Sequence, residues 1–115
     1  MKILVTDDHV LIRESLRGVL SELKPEAAVL EATNARETMG LVADNPDLTL
    51  ILLNLGLPDR DGFDVLNEFG ERHPAIPVVV LSAHHDRANV VRALDLGALG
   101  FIPKTAQRFS PAPSV

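Results

Sequence analysis

Several polar side chains that could hold a divalent cation and a phosphate group follow short apolar segments of the chain. Asp7 and Asp8 come after the first segment, Ser82 after a later one, and Lys104 after the last. Adjacent carboxylates attract a hard cation such as Mg²⁺, which binds one or two protein carboxylates and keeps several waters. A lysine neutralises phosphoryl oxygens, and a serine hydroxyl can hydrogen-bond to an anion. We therefore predict a phosphate-responsive switch site in which Asp8 contacts the metal and Asp7 orders its waters.

Asn54 stands in this set at the position where a phosphate-accepting aspartate is expected. An amide oxygen is a far poorer nucleophile than a carboxylate and cannot form a stable acyl phosphate, so phosphorylation here should fail. Removing one negative charge about 4 Å from a cation also costs up to several kcal/mol of attraction at an effective dielectric of about 20, so Mg²⁺ binding should weaken. The intact surroundings of Asn54 favour a recent or deliberate replacement of aspartate over long divergence.

The elements that must position these residues alternate between β-rich segments and segments of helical period. This alternation is typical of a parallel α/β sheet with helices on both faces. The predicted strands are residues 2–6, 27–32, 48–53, 77–82 and 100–102. The third strand has Thr49 as its only polar residue, so we expect it to lie in the centre of the sheet, covered on both sides. Loops at the carboxyl ends of such strands converge on one crevice, which would bring the polar residues together.

Helices are predicted between the strands. The first has an apolar stripe and begins at Asp8 or His9 as a cap. The residues of this stripe are Ile12, Leu16, Val19, Leu20 and Leu23. Asn34 and Glu37 resemble a capping box at the start of the second helix, which ends at 45–46. The third and fourth helices are predicted at 62–71 and 87–96, the latter beginning after Asp86 and stopping before Gly97.

The last segment of the chain breaks this pattern. Residues 106–115 include Pro111 and Pro113 and show no apolar stripe, so a full fifth helix cannot form there. We predict a domain at 1–105 and an atypical tail at 106–115, without an output domain in this chain. The surface that a fifth helix would cover could then be covered by the tail through Phe109 or by a second copy of the chain, or the natural ending that covers it could have been lost. Of these three, we favour association with a second copy.

The residues at the strand ends resemble those of bacterial response-regulator receiver domains. The similar segments are Thr6-Asp7-Asp8-His9 and residues 53–62, 81–83 and 100–104, and the resemblance extends over residues 1–105. The first segment and residues 97–104 are most similar to receivers of the NarL/LuxR type of transcription factor. The resemblance implies a CheY-like, flavodoxin-like fold with a five-stranded parallel sheet in the order 2-1-3-4-5.

The same resemblance implies roles for individual residues. A sensor histidine kinase would donate a phosphoryl group to the aspartate that aligns with Asn54. Asp8, the side chain at position 54 and the backbone carbonyl of Gly56 would hold Mg²⁺, with Asp7 beside them. Ser82 and Phe101 would form the switch pair, and Lys104 would contact the phosphoryl group. The family pattern also suggests a cis peptide bond between Ile102 and Pro103.

The resulting function is that of a receiver domain in a phosphorelay, which would control transcription through a DNA-binding domain not present here. Asn54 would keep this form unphosphorylated. The alternative is a phosphorylation-independent pseudo-receiver that acts as a constitutive interaction or dimerisation module. We do not expect an enzyme, because a related phosphohydrolase needs two aspartates separated by one residue, whereas Asp7 and Asp8 are adjacent. A flavin carrier usually needs Trp or Tyr, and the sequence has neither.

Composition restricts the remaining possibilities. The formal net charge of −5 argues against direct nucleic-acid binding, which needs a basic surface. The lack of cysteine excludes disulfides, thiolate metal sites and cysteine catalysis. No apolar run approaches the length of a bilayer span. We therefore expect a soluble cytoplasmic module with no membrane contact. The resemblance implies the kinase as a partner, and the uncovered surface suggests a second copy of the chain as another.

Overall fold

The computed structural model describes residues 1–83 and 86–104. The strands are β1 (Lys2–Thr6), β2 (Ala28–Ala32), β3 (Leu50–Asn54), β4 (Val78–Ser82) and β5 (Gly100–Pro103). The helices are α1 (Val10–Leu23), α2 (Ala35–Asp44), α3 (Gly62–Arg72) and α4 (Arg87–Asp95). Each of these elements was predicted, with differences only at the ends. The prediction of a missing or atypical fifth helix, the tail at 106–115 and its Phe109 fall outside the described residues.

The strands form one parallel sheet in the order β2-β1-β3-β4-β5, which is the predicted flavodoxin-like order. β3 therefore lies in the centre of the sheet, and its residues Ile51 and Leu53 are fully buried. Because all five strands run in the same direction, their carboxyl ends share one edge of the sheet. The residues that follow β1, β3, β4 and β5 are consequently placed side by side.

Each of the strands β1 to β4 contributes to two hydrophobic clusters, because its side chains alternate between the faces of the sheet. On one face, Leu4 joins a large cluster with buried side chains of α2, α3 and α4, among them Phe69. On the other face, Ile3 joins a smaller cluster that α1 covers through the partly buried Leu16 and Leu20. The helices are thus unequally divided, with three described helices on one face and α1 on the other.

The apolar stripe predicted for α1 is only partly covered. Leu16 and Leu20 pack on the sheet, but Val19 is 52% exposed and Leu23 is 70% exposed. A single helix on a sheet covers only the centre of its stripe, so the flanks stay exposed unless a second helix lies beside it. The smaller cluster includes no residue of any other described helix. In the described part of the chain, no helix has the length and apolar character needed to cross a bilayer.

The predicted caps of α2 and α4 are confirmed in part. The Asn34 side-chain oxygen accepts a hydrogen bond from the backbone N–H of Glu37 at 2.8 Å. The Glu37 carboxylate accepts from the N–H of Thr33 at 2.7 Å rather than from that of Asn34, and this bond lowers the pKa of Glu37. α4 begins after Asp86 as predicted, although the Asp86 carboxylate makes no capping bond. The helix is followed by Gly97, whose φ of 105° favours glycine.

Candidate functional site

Asp7 is held in place by the first residues of α1. Its side chain is fully buried at the end of β1, and its Oδ1 accepts a hydrogen bond from the backbone N–H of His9 at 2.9 Å. The Nδ1 atom of the His9 ring lies 2.9 Å from the same oxygen. Arg13 Nη1 donates to the Asp7 carbonyl oxygen at 2.7 Å. The predicted side-chain cap of α1 is wrong, since His9 occupies the cap position without a capping bond. Asp7 instead binds the backbone N–H at this position.

Lys104 provides the positive charge beside Asp7. Its Nζ lies 2.8 Å from Asp7 Oδ2, and the two side chains are 12% and 0% exposed. Among the described residues, the buried Asp7 Oδ2 forms this ion pair with Lys104 but accepts no hydrogen bond. A buried carboxylate without a cation would be costly, which makes the pairing important for Asp7. The predicted cis bond before Pro103 is wrong, because the bond is trans and Lys104 reaches Asp7 from that conformation.

Asn54 ends β3, is 2% exposed, and connects the Asp8 loop to the loop after β3. Its Nδ2 donates to Asp8 Oδ1 at 3.2 Å and to the Gly56 carbonyl oxygen at 3.3 Å. Its Oδ1 accepts from the Gly56 N–H at 3.2 Å. If the amide were flipped, its NH₂ group would face the Gly56 N–H, and its oxygen would face the oxygens of Asp8 and Gly56. Neither arrangement allows a hydrogen bond, so these partners determine the orientation of the amide.

The loop between β3 and α3 folds back on itself. The Gly62 N–H donates to the Leu55 carbonyl oxygen at 3.1 Å, and Gly56 forms an antiparallel bridge with Asp61. A Cβ at Gly62 would lie 2.4 Å from the Leu55 Cα, so this close approach requires glycine. Asp61 then caps α3 by accepting from the Phe63 N–H at 2.9 Å. The loop that carries the Gly56 carbonyl oxygen is therefore closed by its own backbone.

Asp59 ties the same loop to α2. Its two carboxylate oxygens accept from the backbone N–H groups of Ala35 at 2.8 Å and Arg36 at 3.1 Å. The bond from Ala35 lowers the pKa of Asp59, because it favours the charged carboxylate. In the sequence, Asp59 was recognised only as part of the similar segment 53–62, and its contact with α2 was not predicted. An aspartate gives no local signal that it will cap a helix from another part of the chain.

Ser82 and Phe101, the predicted switch residues, lie on neighbouring strands. Ser82 is buried at the end of β4 and lines a cavity of about 210 Å³ with Asn54, Gly56 and Lys104. Phe101 is half-buried in β5 and packs against the larger hydrophobic cluster. The structure thus brings Ser82 into the pocket, while Phe101 contributes to the packing beside it. The switching role of the pair stays a prediction.

The acidic end of the pocket is suited to a cation, with one exception. The possible ligand atoms of Asp7, Asp8 and His9 all lie within 4.8 Å of one another. Carboxylate and carbonyl oxygens are the ligands that Mg²⁺ prefers, and the Gly56 carbonyl oxygen and Asp8 Oδ1 contact the same Asn54 nitrogen. The exception is Asn54, which points N–H groups at Asp8 and Gly56. Sequence reasoning considered His9 only as a cap, because the position of its ring depends on Asp7.

Comparison with known protein families identifies one model over most of the chain. The model described as "Response regulator receiver domain" matches residues 3–109. The glycerol metabolism activator of Pseudomonas putida is 38% identical over 107 residues, which are 93% of this chain and 48% of that protein. The nitrate/nitrite response regulator protein NarL of Escherichia coli is 33% identical over 102 residues, 89% of this chain and 47% of that protein. The chain spans about half the length of these curated relatives.

Solved structures show the same similarity. A two-component response regulator of the LuxR family from an Aurantimonas species has a TM-score of 0.80 and 27% identity, covering 90% of this chain and 74% of that chain. A CheY-like response regulator receiver domain protein from Methanospirillum hungatei has a TM-score of 0.79 and 26% identity, covering 90% of this chain and 80% of that chain.

Proposed function

This chain belongs to the response regulator receiver domain family, and we propose that it is a receiver module that Asn54 holds in its unphosphorylated form. The observation that carries the proposal is the position of Asn54 in the pocket. It lies 3.2 Å from Asp8 and lines one cavity with Ser82 and Lys104. The pocket therefore has a hydroxyl, an ammonium group and an acidic pair, but a carboxamide in place of a nucleophile.

We infer that the natural partner is a sensor histidine kinase and that the output is transcription. Two relatives whose names include NarL and the LuxR family support this inference. The chain spans about half the length of NarL. A DNA-binding segment elsewhere in the protein would carry the contact with DNA, because the net charge of this chain is −5. The acidic composition and the lack of cysteine fit a cytoplasmic site of action.

Mg²⁺ is proposed as a weak ligand of this form. Asp8, the Gly56 carbonyl oxygen and, through waters, Asp7 would hold the ion, which would neutralise phosphoryl charge when bound. Asn54 retains an oxygen but supplies no negative charge, so binding weakens. We also propose that the isolated chain has no catalytic turnover, because the carboxamide at position 54 cannot accept and release a phosphoryl group.

Intact mass spectrometry tests the proposal. The chain is incubated with acetyl phosphate and Mg²⁺, and the Asn54→Asp variant is treated in parallel. We expect no added phosphoryl group on the original chain and one on the variant, because aspartate restores the nucleophile. A stoichiometric phosphoryl group on the original chain would contradict the proposal. Failure of Asn54→Asp to react would show that the surrounding pocket is not a receiver site.

A second candidate is a constitutive interaction module, and the exposed apolar residues of α1 favour it. Leu11 is 73% exposed and Leu23 is 70% exposed, and neither is covered by a described helix. Such residues often mark a protein contact, here a second copy of the chain. Light scattering should then show a concentration-dependent dimer that is lost in Leu11→Ser and that phosphorylation of Asn54→Asp does not change. A monomer at all concentrations would exclude dimerisation as the function.

A further inference from the structure

We propose that the Asn54 carboxamide takes the place of a divalent cation, so that the pocket keeps its closed arrangement without metal. This inference deepens the proposed function and rests on it, since both concern the residue at position 54. Asn54 would then not only lack a nucleophile but also hold the Asp8 and Gly56 oxygens together. In this form of the domain, metal binding and the Asn54 hydrogen bonds are alternatives that exclude each other.

The first support is the pair of oxygens that the amide nitrogen joins. Asp8 Oδ1 and the Gly56 carbonyl oxygen lie 3.2 Å and 3.3 Å from Asn54 Nδ2. They belong to the loops after β1 and after β3. Two such oxygens repel each other unless a positive group lies between them, and either a cation or a pair of N–H groups can do this. The two hydrogens of one amide satisfy both oxygens.

The second support is that the carboxamide cannot serve the cation and the loop together. Its Oδ1 already accepts from the Gly56 N–H at 3.2 Å. If the group turned to offer its oxygen to a cation, the Nδ2 hydrogens would face the Gly56 N–H instead. Two donors in that position lose a hydrogen bond and gain repulsion. A carboxylate has no such conflict, because both of its oxygens accept.

The third support is the balance of charge in the pocket. Lys104 lies 2.8 Å from Asp7, which offsets that carboxylate. Asp8 then supplies the remaining formal negative charge, and an aspartate at position 54 would supply a second. Because attraction to a divalent ion scales with the charge facing it, the asparagine form has about half the electrostatic attraction of the aspartate form. The loop meanwhile stays closed through Leu55, Gly62 and Asp59.

Thermal unfolding with and without Mg²⁺ is the first test, on the original chain and two variants. Asn54→Leu keeps the size and neutrality of the side chain but removes its hydrogen bonds, and Asn54→Asp restores the charge. In EDTA the original chain should melt highest, with Asn54→Leu lower by about 5–10 °C because three polar groups lose partners. Millimolar Mg²⁺ should leave the original chain unchanged and raise the midpoint of Asn54→Asp.

Nuclear magnetic resonance gives a readout that does not depend on stability. The Asn54 side-chain NH₂ signals are assigned by their loss in Asn54→Asp. We expect slow hydrogen exchange for them and for the Gly56 N–H, and no shift in millimolar Mg²⁺. Mg²⁺-dependent shifts of these signals, or equal midpoints for the original chain and Asn54→Leu in EDTA, would overturn the inference. A phosphorylated original chain would instead overturn the proposed function, since these metal readouts do not report phosphorylation.

Discussion

The two carboxylates that follow β1 are stabilised in different ways on the two sides of the pocket. Asp7 is 0% exposed and lies 2.8 Å from the Lys104 ammonium group. Asp8 has a side chain that is 34% exposed, and it accepts an N–H from the neutral Asn54 amide. A fully buried charge needs an opposite charge, whereas a partly hydrated one can be satisfied by a dipole and water. The difference explains how the Asp8 side tolerates asparagine while the Asp7 side keeps its lysine.

The two sides also differ in how they depend on the fold. The Asp7 side joins the end of β1 to the end of β5 through Lys104, whereas the hydrogen bonds of Asn54 go to Asp8 and Gly56. The Asp8 side depends on the loop after β3, because Gly56 and Asn54 come from that segment. Variants can therefore weaken each side separately.

Lys104→Met should remove the charge partner of Asp7 while keeping much of the aliphatic stem. Breaking a buried ion pair from one side leaves an uncompensated carboxylate, so we expect a loss of about 3 kcal/mol of unfolding free energy. Chemical denaturation measures the loss, with the exposed Lys24→Met as the matched control. A loss below that of the control would show that the two contacts from His9 satisfy the Asp7 carboxylate by themselves.

Gly62→Ala should distort the Asp8 side. The new Cβ would lie 2.4 Å from the Leu55 Cα, so the loop that carries Gly56 must move. Overpacking of this kind costs about 2–3 kcal/mol. Gly40→Ala is the matched control, because nothing lies within 4 Å of its Cβ and alanine favours a helix. Denaturant midpoints should fall for the first variant and not for the second, and equal midpoints would show that the loop adapts freely.

Asp59→Ala should weaken the anchor between the Asp8-side loop and α2, with a small effect that depends on pH. The pKa of Asp59 is lowered in the folded chain by the Ala35 N–H, so its contribution is present above the unfolded pKa of about 4. It is lost as the pH falls through the lower folded value. The stability gap between the original chain and the variant should thus close in acid, and Asp59→Asn should show a smaller gap near neutral pH. A gap that is the same at all pH values would assign no role to the carboxylate charge.

The sequence predicted what depends on local pattern. Apolar runs located the strands, and the unbroken run before Asn54 indicated the central strand, since burial on both faces removes the need for alternation. Asn34 was identified as a cap because capping depends on residues a turn apart. Family resemblance then supplied the strand order and brought Asp8, Asn54 and Lys104 to one edge.

What the sequence did not predict depends on contacts between distant segments. Asp59 caps a helix that begins at Ala35, and nothing near Asp59 in the chain specifies that partner. The position of the His9 ring follows from Asp7, and the orientation of the Asn54 amide follows from Asp8 and Gly56. With no fifth helix predicted, the sequence indicated an uncovered apolar surface. Helical period did not show that Val19 and Leu23 would be exposed residues of the α1 stripe, because it does not show how wide a surface the helix packs on.

A high-resolution crystal structure of the original chain grown in millimolar Mg²⁺ tests the central claim most directly. We predict that Asn54 Nδ2 stays within hydrogen-bond distance of Asp8 Oδ1 and the Gly56 carbonyl oxygen, and that Asn54 Oδ1 still accepts from the Gly56 N–H. No ion should lie between Asp8 Oδ1 and the Gly56 carbonyl oxygen. The same crystals of Asn54→Asp should contain a bound cation at those oxygens. An ion that contacts Asp8 and Gly56 in the original chain, with the carboxamide turned to offer its oxygen, would contradict the account.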